Sequence, residues 1–310
     1  MRGQPPTSPA LPSAQAGVGL AAAICAFSIW GVLPLYLKPL SHLPAFEIMA
    51  HRIVWSCVLV FGWLALRGEV GLVREALANA STRYRLIGSA VLISINWLIY
   101  VWSVGNGHVI DASLGYFINP LLNVVLGVLV LGERLGTAQK FAVGLAAAGV
   151  LYLAIVAGRP PWIALSLAAS FGGYGLIRKT VNVEAVPGLA TETLLLAPFS
   201  LAFLLWLEWQ GSAAFGHTSA GITALLLGSG FITALPLALF AFGARRIPLS
   251  TVGLVQYIGP TLQFLLGVLV FKEAFSAQRG VGFLFIWTAL AIYAVDGLWR
   301  SRKQMPSFRG

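Results

Sequence analysis

One short apolar stretch carries three ionisable side chains whose types and spacing could do chemistry. The segment EIMAHRIVWS, residues 47–56, contains Glu47, His51 and Arg52. In a helix, Glu47 and His51 share a face with Trp55 one turn further on, while Arg52 points about 100° away. This spacing lets the carboxylate pair with the imidazole, and it lets the guanidinium reach a neighbouring helix.

Each of the three residues also has a purely structural interpretation, and the sequence leaves both open. Glu47 lies in the first turn after Pro44, where a carboxylate favours the helix dipole, and His51 fits a hydrogen-bonded core histidine. Arg52 lies about 12 Å along the helix at about 1.5 Å per residue. A charge at that depth in a membrane costs a few kcal/mol or more unless it meets a partner or water, and Glu192 is a candidate acid for it.

The elements that position these residues follow from composition. The 310 residues are 58% hydrophobic and 10% charged, whereas about a quarter of the residues of a soluble domain are charged. The net charge of +10 is dispersed in short connections, which argues against nucleic acid as a partner. Cys25 and Cys57 lie in apolar runs without disulfide or metal-ligand spacing, so we expect no metal and no cofactor. The class is an all-α polytopic membrane protein.

Ten segments are long enough to cross a hydrocarbon core of about 30 Å as helices. Runs of this length lack the period-two alternation of a membrane barrel. We expect residues 1–16 to form a disordered tail and residues 300–310 a basic cytoplasmic tail. The predicted spans are 17–38, 46–66, 85–104, 111–131, 138–157, 161–178, 189–209, 220–242, 249–271 and 279–299.

The distribution of basic residues predicts the topology. With the N-terminus in the cytoplasm, fifteen of the twenty Lys and Arg residues fall on the cytoplasmic side. The positive-inside rule therefore favours ten spans with both termini in the cytoplasm. The five exceptions are Lys38, Arg52, Arg159, Lys272 and Arg279.

An internal repeat lies within the apolar background. LGYFINPLLNVVLGVLVLGE, residues 114–133, aligns without a gap with LVQYIGPTLQFLLGVLVFKE, residues 254–273, and ten of twenty positions are identical. A weaker match pairs AFSIWG with SFGGYG, which places Trp30 opposite Tyr174. These matches predict two five-helix units, 17–157 and 161–299, inverted relative to each other because five is odd. Inverted repeats of this kind build secondary transporters with a substrate site near the membrane midplane.

Polar side chains recur on the repeated helices and predict a shared cavity, with interhelical hydrogen bonding as the alternative interpretation. The two matching stripes are Tyr116, Asn119, Pro120 and Asn123, and Gln256, Gly259, Pro260 and Gln263. The predicted substrate-binding residues are Trp30, Arg52, Trp55, Asn96, Trp97, Tyr116, Asn119, Tyr174, Gln256 and Tyr257. The candidates for coupling to protons are Glu47, His51 and Glu192, because these side chains can change protonation near neutral pH when buried.

Four segments of the chain carry a family resemblance. They resemble the RarD branch of the EamA-type drug/metabolite transporters. The segments are FSIWGVLPLYLKPL, EIMAHRIVWS, the run from NWLIYVWS to GVLVLGE, and STVGLVQYIGPTLQFLLGVLVFKE. The resemblance extends over about residues 17–299. It implies a ten-helix bundle in a bacterial inner membrane and solute transport, and names in that branch mention chloramphenicol sensitivity and drug export.

The function favoured by these patterns is secondary transport, as an exporter of a small metabolite or drug-like solute. The chain has no G-x-x-x-x-G-K loop, so ATP is not expected to drive it. The alternatives are an integral membrane enzyme, for which His42, His108 and His217 offer no metal-ligand spacing, and a passive channel or scaffold. The expected partners are the solute and membrane lipid, and the oligomeric state is left open, a homodimer included.

Overall fold

The computed structural model describes residues 13–131, 136–244, 246–247, 251–252 and 255–304, and these residues form helices and short connections without any strand. Eleven α-helices lie in this part of the chain. They are α1 (Ser13–Leu37, followed by a 3₁₀ turn at Lys38–Leu40), α2 (Ala45–Leu66), α3 (Gly71–Ala78), α4 (Ala80–Gly105), α5 (Val109–Leu131), α6 (Thr137–Ala157), α7 (Trp162–Thr180), α8 (Ala185–Trp209), α9 (Ala220–Ala244), α10 (Ile258–Leu265, continued by a π-helical turn at Leu266–Val270) and α11 (Ala277–Gln304).

Eight stretches of the described helices are long and apolar enough to cross a membrane, so the polytopic class is confirmed. The eight stretches are Ala16–Leu40, Ala45–Leu66, Ala80–Gly105, Val109–Val130, Thr137–Ala157, Ala185–Trp209, Ala220–Gly243 and Ala277–Asp296. Helix α7, the predicted span 161–178, is not among them because Arg178, Lys179 and its small residues lower its hydropathy. Within the predicted span 249–271 the described apolar helix is Ile258–Val270. The count of ten spans therefore stays a prediction.

Several helices extend a few residues beyond the predicted boundaries. Helix α1 begins at Ser13, inside the predicted tail, and residues 1–12 of that tail lie outside the described residues. Helix α11 runs to Gln304, into the predicted basic tail, of which residues 305–310 are likewise outside. Helix α4 begins at Ala80 and not at 85, because the Asn79 side chain accepts a hydrogen bond from the Thr82 amide at 3.0 Å and caps the helix there.

The helices of the first half of the chain pack mainly against helices of the second half. Helix α1 contacts α9 and α10, α2 contacts α8 and α9, α4 contacts α7 and α8, α5 contacts α7 and α10, and α6 contacts α11. Glycines allow the closest of these approaches. A methyl group added at Gly149 of α6 would lie 3.1 Å from the carbonyl oxygen of Gly282 in α11. Small residues at such crossings are typical of helix association in membranes.

The N-terminus of α5 is tied to the connection that follows α10. The Glu273 carboxylate accepts hydrogen bonds from the amides of Val109 at 2.7 Å and Ile110 at 2.9 Å, and Arg279 forms an ion pair with Asp111. A carboxylate at a helix N-terminus satisfies amides that have no partner within the helix. Glu133, which the repeat aligns with Glu273, lies outside the described residues.

Candidate functional site

Arg52 lies two turns into α2, where three helices meet. Its side chain is buried, with 4% of the residue exposed. Nε donates a hydrogen bond to Thr233 Oγ1 of α9 at 3.2 Å, and the guanidinium lies 5.1 Å from the ring centroid of Trp97 in α4. A cation over the face of an aromatic ring is attracted by its quadrupole. The arginine is therefore held by side chains of both halves of the chain.

The positive charge of Arg52 meets no carboxylate among the residues that the structure describes. The titratable groups of the described residues that interact electrostatically with it are the phenols of Tyr36, Tyr100 and Tyr116. Tyr36 is already engaged, because its hydroxyl donates a hydrogen bond to the carbonyl of Leu225. A buried charge without a counter-charge carries an uncompensated desolvation cost.

Three polar groups on α2 and α4 are buried without any hydrogen-bond partner. They are Arg52 Nη1, the Ser56 hydroxyl and the Tyr100 hydroxyl. Ser56 follows Arg52 by one helical turn, so the two share a face of α2. Buried polar groups in folded proteins are almost always hydrogen-bonded, so three unpartnered donors on these two helices call for an explanation.

Asn96 links α4 to α5 and α7 beside this cluster. Its Nδ2 donates to the Leu167 carbonyl at 3.0 Å and to Ser170 Oγ at 3.1 Å, and its Oδ1 accepts from the Tyr116 hydroxyl at 3.1 Å. The ring of Tyr116 lies 5.8 Å from that of Tyr100. The structure thus brings the predicted site residues Asn96, Trp97 and Tyr116 together around Arg52.

A row of aromatic rings leads from this centre towards the end of α7. Phe171 lies 6.1 Å from Tyr116, and Tyr174 lies 5.9 Å from Phe171. Tyr174 itself lies beside the carboxylate of Glu192 in α8. The predicted residue Tyr174 is therefore connected to the Arg52 centre through Phe171.

The hypothesis that Glu192 neutralises Arg52 is wrong. Glu192 Oε1 lies 3.9 Å from Nε of Arg178 in α7 and accepts a hydrogen bond from the Ser89 hydroxyl of α4 at 2.6 Å. Arg178 Nη2 also donates to the carbonyls of Val183 and Glu184 at 3.4 and 3.1 Å. Glu192 pairs with Arg178 and not with Arg52, because Arg178 lies at the end of α7 that is next to the first turns of α8.

The predicted pairing of Glu47 with His51 is also not made. Glu47 Oε1 accepts a hydrogen bond from the backbone amide of Ala214, at 2.7 Å, in the connection between α8 and α9. His51 Nδ1 accepts from Trp55 Nε1 at 3.2 Å, and its ring stacks on Phe215 at 5.1 Å. The connection between α8 and α9 supplies an unpaired amide that competes for the carboxylate.

The polar stripe of α10 is used differently from that of α5. Gln263 Nε2 donates at 3.0 Å to the carbonyl of Trp30, which is the carbonyl that Pro34 of α1 leaves without a helical partner. The ring of Trp30 packs on Phe27 and Phe240. Gln263 is therefore an interhelical hydrogen-bonding group, as the alternative interpretation expected.

The other predicted stripe residues do not form one continuous buried face. Asn119 is buried with an unpartnered Oδ1, whereas Asn123, one turn further along α5, is exposed. Gln256 is partly buried, and Tyr257 packs against the hydrophobic cluster formed by α5, α6, α7 and α11. Trp30, Gln256 and Tyr257 make none of the direct contacts that the structure gives Arg52.

Sequence reasoning missed Thr233 and Ser56 as members of this centre. Both are single hydroxyl residues in apolar helices, where a local bond to the preceding turn is the usual explanation. Thr233 does make that bond, to the Ser229 carbonyl at 2.8 Å, in addition to accepting from Arg52. The position of Ser56 one turn after Arg52 was the available signal.

A bundle of apolar helices is typical of a multi-pass membrane protein, and comparison with known proteins agrees. The model of the EamA-like transporter family matches residues 17–155. Protein RarD of Streptomyces exfoliatus is 48% identical over 286 residues, 92% of this chain and 90% of that protein. An uncharacterised transporter of Vibrio cholerae is 46% identical over 284 residues, 90% of this chain and 93% of that protein.

The chain belongs to the RarD branch of the EamA-like transporter family, and it is a membrane transporter of the drug/metabolite type. A solved crystal structure with 18% sequence identity superposes with a TM-score of 0.59, covering 90% of this chain and 98% of the other. That likeness concerns the fold alone.

Proposed function

We propose that the protein is a secondary transporter that exports a small metabolite or drug-like solute by alternating access between two inverted five-helix units. The observation that carries the proposal is the symmetry of the helix contacts. The repeat pairs the helices of the two halves in chain order: α1 with α7, α2 with α8, α4 with α9, α5 with α10 and α6 with α11. When each helix is replaced by its counterpart, the contact of α1 with α9 becomes that of α7 with α4, and both contacts are present.

The other main contacts between the two halves obey the same exchange. The contact of α1 with α10 becomes that of α7 with α5, and the contact of α2 with α9 becomes that of α8 with α4. The pairs α2 with α8, α5 with α10 and α6 with α11 convert into themselves. A two-fold relation between the halves supports inverted repeats, in which one unit rocks against the other around a fixed site.

The Arg52 centre has the position that such a mechanism needs. Its contacts come from α2 and α4 of the first half and from α9 of the second half. Relative motion of the two halves would change the exposure of the guanidinium without moving it along α2. We assign the solute site to this centre, lined by Arg52, Trp97, Asn96 and Tyr116.

The topology belongs to the same proposal. Both termini lie in the cytoplasm, because in that orientation fifteen of the twenty Lys and Arg residues fall on the cytoplasmic side. The membrane is the bacterial inner membrane, in line with the bacterial transporters that the chain resembles. Transport rather than an enzymatic reaction is the activity, in line with the names of the relatives. Proton coupling, where it operates, is assigned to Glu47, His51 and Glu192.

Flux into liposomes tests the proposal. Purified protein is reconstituted and supplied with a panel of metabolites and drug-like compounds, with and without an imposed proton gradient, and empty liposomes serve as the control. We expect saturable flux of at least one compound, and a dependence on the gradient if protons are coupled. Conductance that does not saturate would instead identify a channel, and chemical conversion of a compound would identify an enzyme.

A further inference from the structure

We propose that the Arg52 centre binds the carboxylate of an organic monoanion with an apolar or aromatic body. This inference rests on the proposed function, because it names the substrate class of the same site. The juxtaposition that carries it is a buried guanidinium without an acid beside two unpartnered hydroxyl donors, in a setting of aromatic rings.

The unpaired charge of Arg52 favours an anionic ligand. Arg52 is buried, and no carboxylate in the described part of the chain pairs with it. The other acids of the interior are engaged elsewhere: Glu47 binds the Ala214 amide, and Glu192 binds Arg178 and Ser89. A negative charge supplied by a ligand would compensate the arginine, whereas a neutral or cationic ligand would not.

The hydrogen-bond donors have the matching chemistry. Arg52 Nη1, the Ser56 hydroxyl and the Tyr100 hydroxyl all have protons to donate and no partner. Tyr100 lies within electrostatic range of the guanidinium, and Ser56 shares its face of α2. Carboxylate oxygens accept only and offer about four lone-pair sites, so a carboxylate has enough acceptors for all three donors.

The number of cations selects a monoanion. Arg52 is the one cation that the described contacts place in this centre, since Arg178 is committed to Glu192 and to two carbonyls. A phosphate dianion would leave one negative charge uncompensated in the apolar interior, and that costs more than it gains. A carboxylate balances the single guanidinium.

The aromatic side chains around Arg52 indicate the chemistry of the rest of the solute. Trp97 stacks on the guanidinium, and Tyr100 and Tyr116 contact each other edge to face beside it. Ligand sites typically combine such apolar walls with a few polar groups that fix orientation. An apolar or aromatic body attached to the carboxylate would therefore lie against these rings.

Binding is tested on the purified full-length protein with probes that differ only in charge. The thermal unfolding midpoint is measured with phenylacetate, indole-3-acetate and hexanoate, each against its own primary amide. We expect at least one carboxylate to raise the midpoint in a saturable way and its amide to leave the midpoint unchanged. Equal responses to acid and amide, or no response to any of the carboxylates, would overturn the proposal.

Two variants assign the response to this centre. Arg52→Gln should abolish the carboxylate response, and persistence of the response in a folded variant would overturn the assignment. Tyr100→Phe removes a hydroxyl that has no partner in the protein, so it should fold normally and bind the carboxylate about tenfold more weakly, because the lost hydrogen bond is to a charged group. Tyr152→Phe in α6, whose ring stacks on Phe285, is the matched control and should bind as the unmodified protein does.

Flux measurements separate the two proposals. Protein that binds carboxylates but moves no compound across liposomes retains the anion site and contradicts the transport mechanism. The opposite outcome is transport of neutral or cationic compounds without binding of any carboxylate, at a rate that Tyr100→Phe does not change. That outcome would support the transport mechanism and contradict the anion site.

Discussion

Two arginines of this protein, Arg52 buried and Arg178 partly buried, differ in whether a carboxylate is their partner. Arg178, near the end of α7, lies 3.9 Å from the carboxylate of Glu192 and donates to two backbone carbonyls. Arg52, two turns into α2, donates to one threonine hydroxyl, stacks on Trp97 and meets no carboxylate in the described residues.

The presence or absence of a paired carboxylate distinguishes an arginine that stabilises the fold from one that is available to a ligand. A buried charge with a counter-charge and hydrogen bonds of its own is stable as it stands, and losing either partner leaves an uncompensated charge. A buried charge without a counter-charge is costly to the fold, and such residues in membrane proteins mark paths for substrates or ions. We therefore expect changes at Arg178 and Glu192 to lower stability, and changes at Arg52 to remove activity.

The largest expected effect is that of Arg52→Ala on transport. Flux in reconstituted vesicles should fall to the level of empty liposomes, because the charge that binds the solute is gone. The variant should still elute as a folded protein, since no acid of the protein loses its partner. Arg52→Lys keeps the charge and should retain part of the flux. Unchanged flux in Arg52→Ala would remove this residue from the site and break the comparison.

Glu192→Ala should lower the stability of the fold. Leaving Arg178 without its acid is expected to cost about 3 kcal/mol of the free energy of unfolding, measured by unfolding in mixed detergent micelles. Replacing both partners, as Arg178→Met with Glu192→Leu, should recover most of that loss, because the buried charges disappear together. A Glu192→Ala protein as stable as the unmodified one would show that the pair does not stabilise the fold.

Thr233→Val tests whether the Thr233 hydroxyl holds Arg52 in place. It removes the acceptor for Arg52 Nε while keeping the shape of the side chain, and we expect flux to fall about tenfold, or roughly 1.4 kcal/mol. Thr191→Val is the matched control. Thr191 is also buried and also donates to the carbonyl four residues earlier, but no arginine donates to it. Equal flux in both variants would contradict an anchoring role for Thr233.

The smallest expected effect concerns Gln263, a buried polar group with a structural partner. Gln263→Leu should lower the free energy of unfolding by about 1 kcal/mol, because the Trp30 carbonyl loses its donor. In a Pro34→Ala background the helix can satisfy that carbonyl itself, so the same substitution should cost less. Additive losses in the double variant, determined by the same unfolding measurement, would show that Gln263 does not compensate for Pro34.

Much of the fold could be predicted because its signals are local. Apolar runs long enough to cross the bilayer indicated the helices, and the identity between residues 114–133 and 254–273 indicated repeated units. The errors occurred at the ends, where a single capping side chain such as Asn79 decides the first residue of a helix. The residue types at the centre, above all Arg52 and Trp97, were also recognisable as unusual for an apolar interior.

The partners of those residues could not be predicted, since each lies far away in the chain. Thr233 lies 181 positions from Arg52 and Ala214 lies 167 positions from Glu47. The two acids Glu47 and Glu192 can be paired with His51, Arg52 and Arg178 in several ways, and helix periodicity gives only the face of each. The packing of α7 against α4 selected Arg178 for Glu192 and left Arg52 without an acid.

The sequence by itself determined that this is a multi-pass helical protein of a known transporter branch, because hydrophobic length and internal identity are properties of single segments. Only the tertiary structure decided which buried charges are paired and which one is open to a ligand. Ion pairing depends on distances of a few ångströms between helices, and no single helix carries that information.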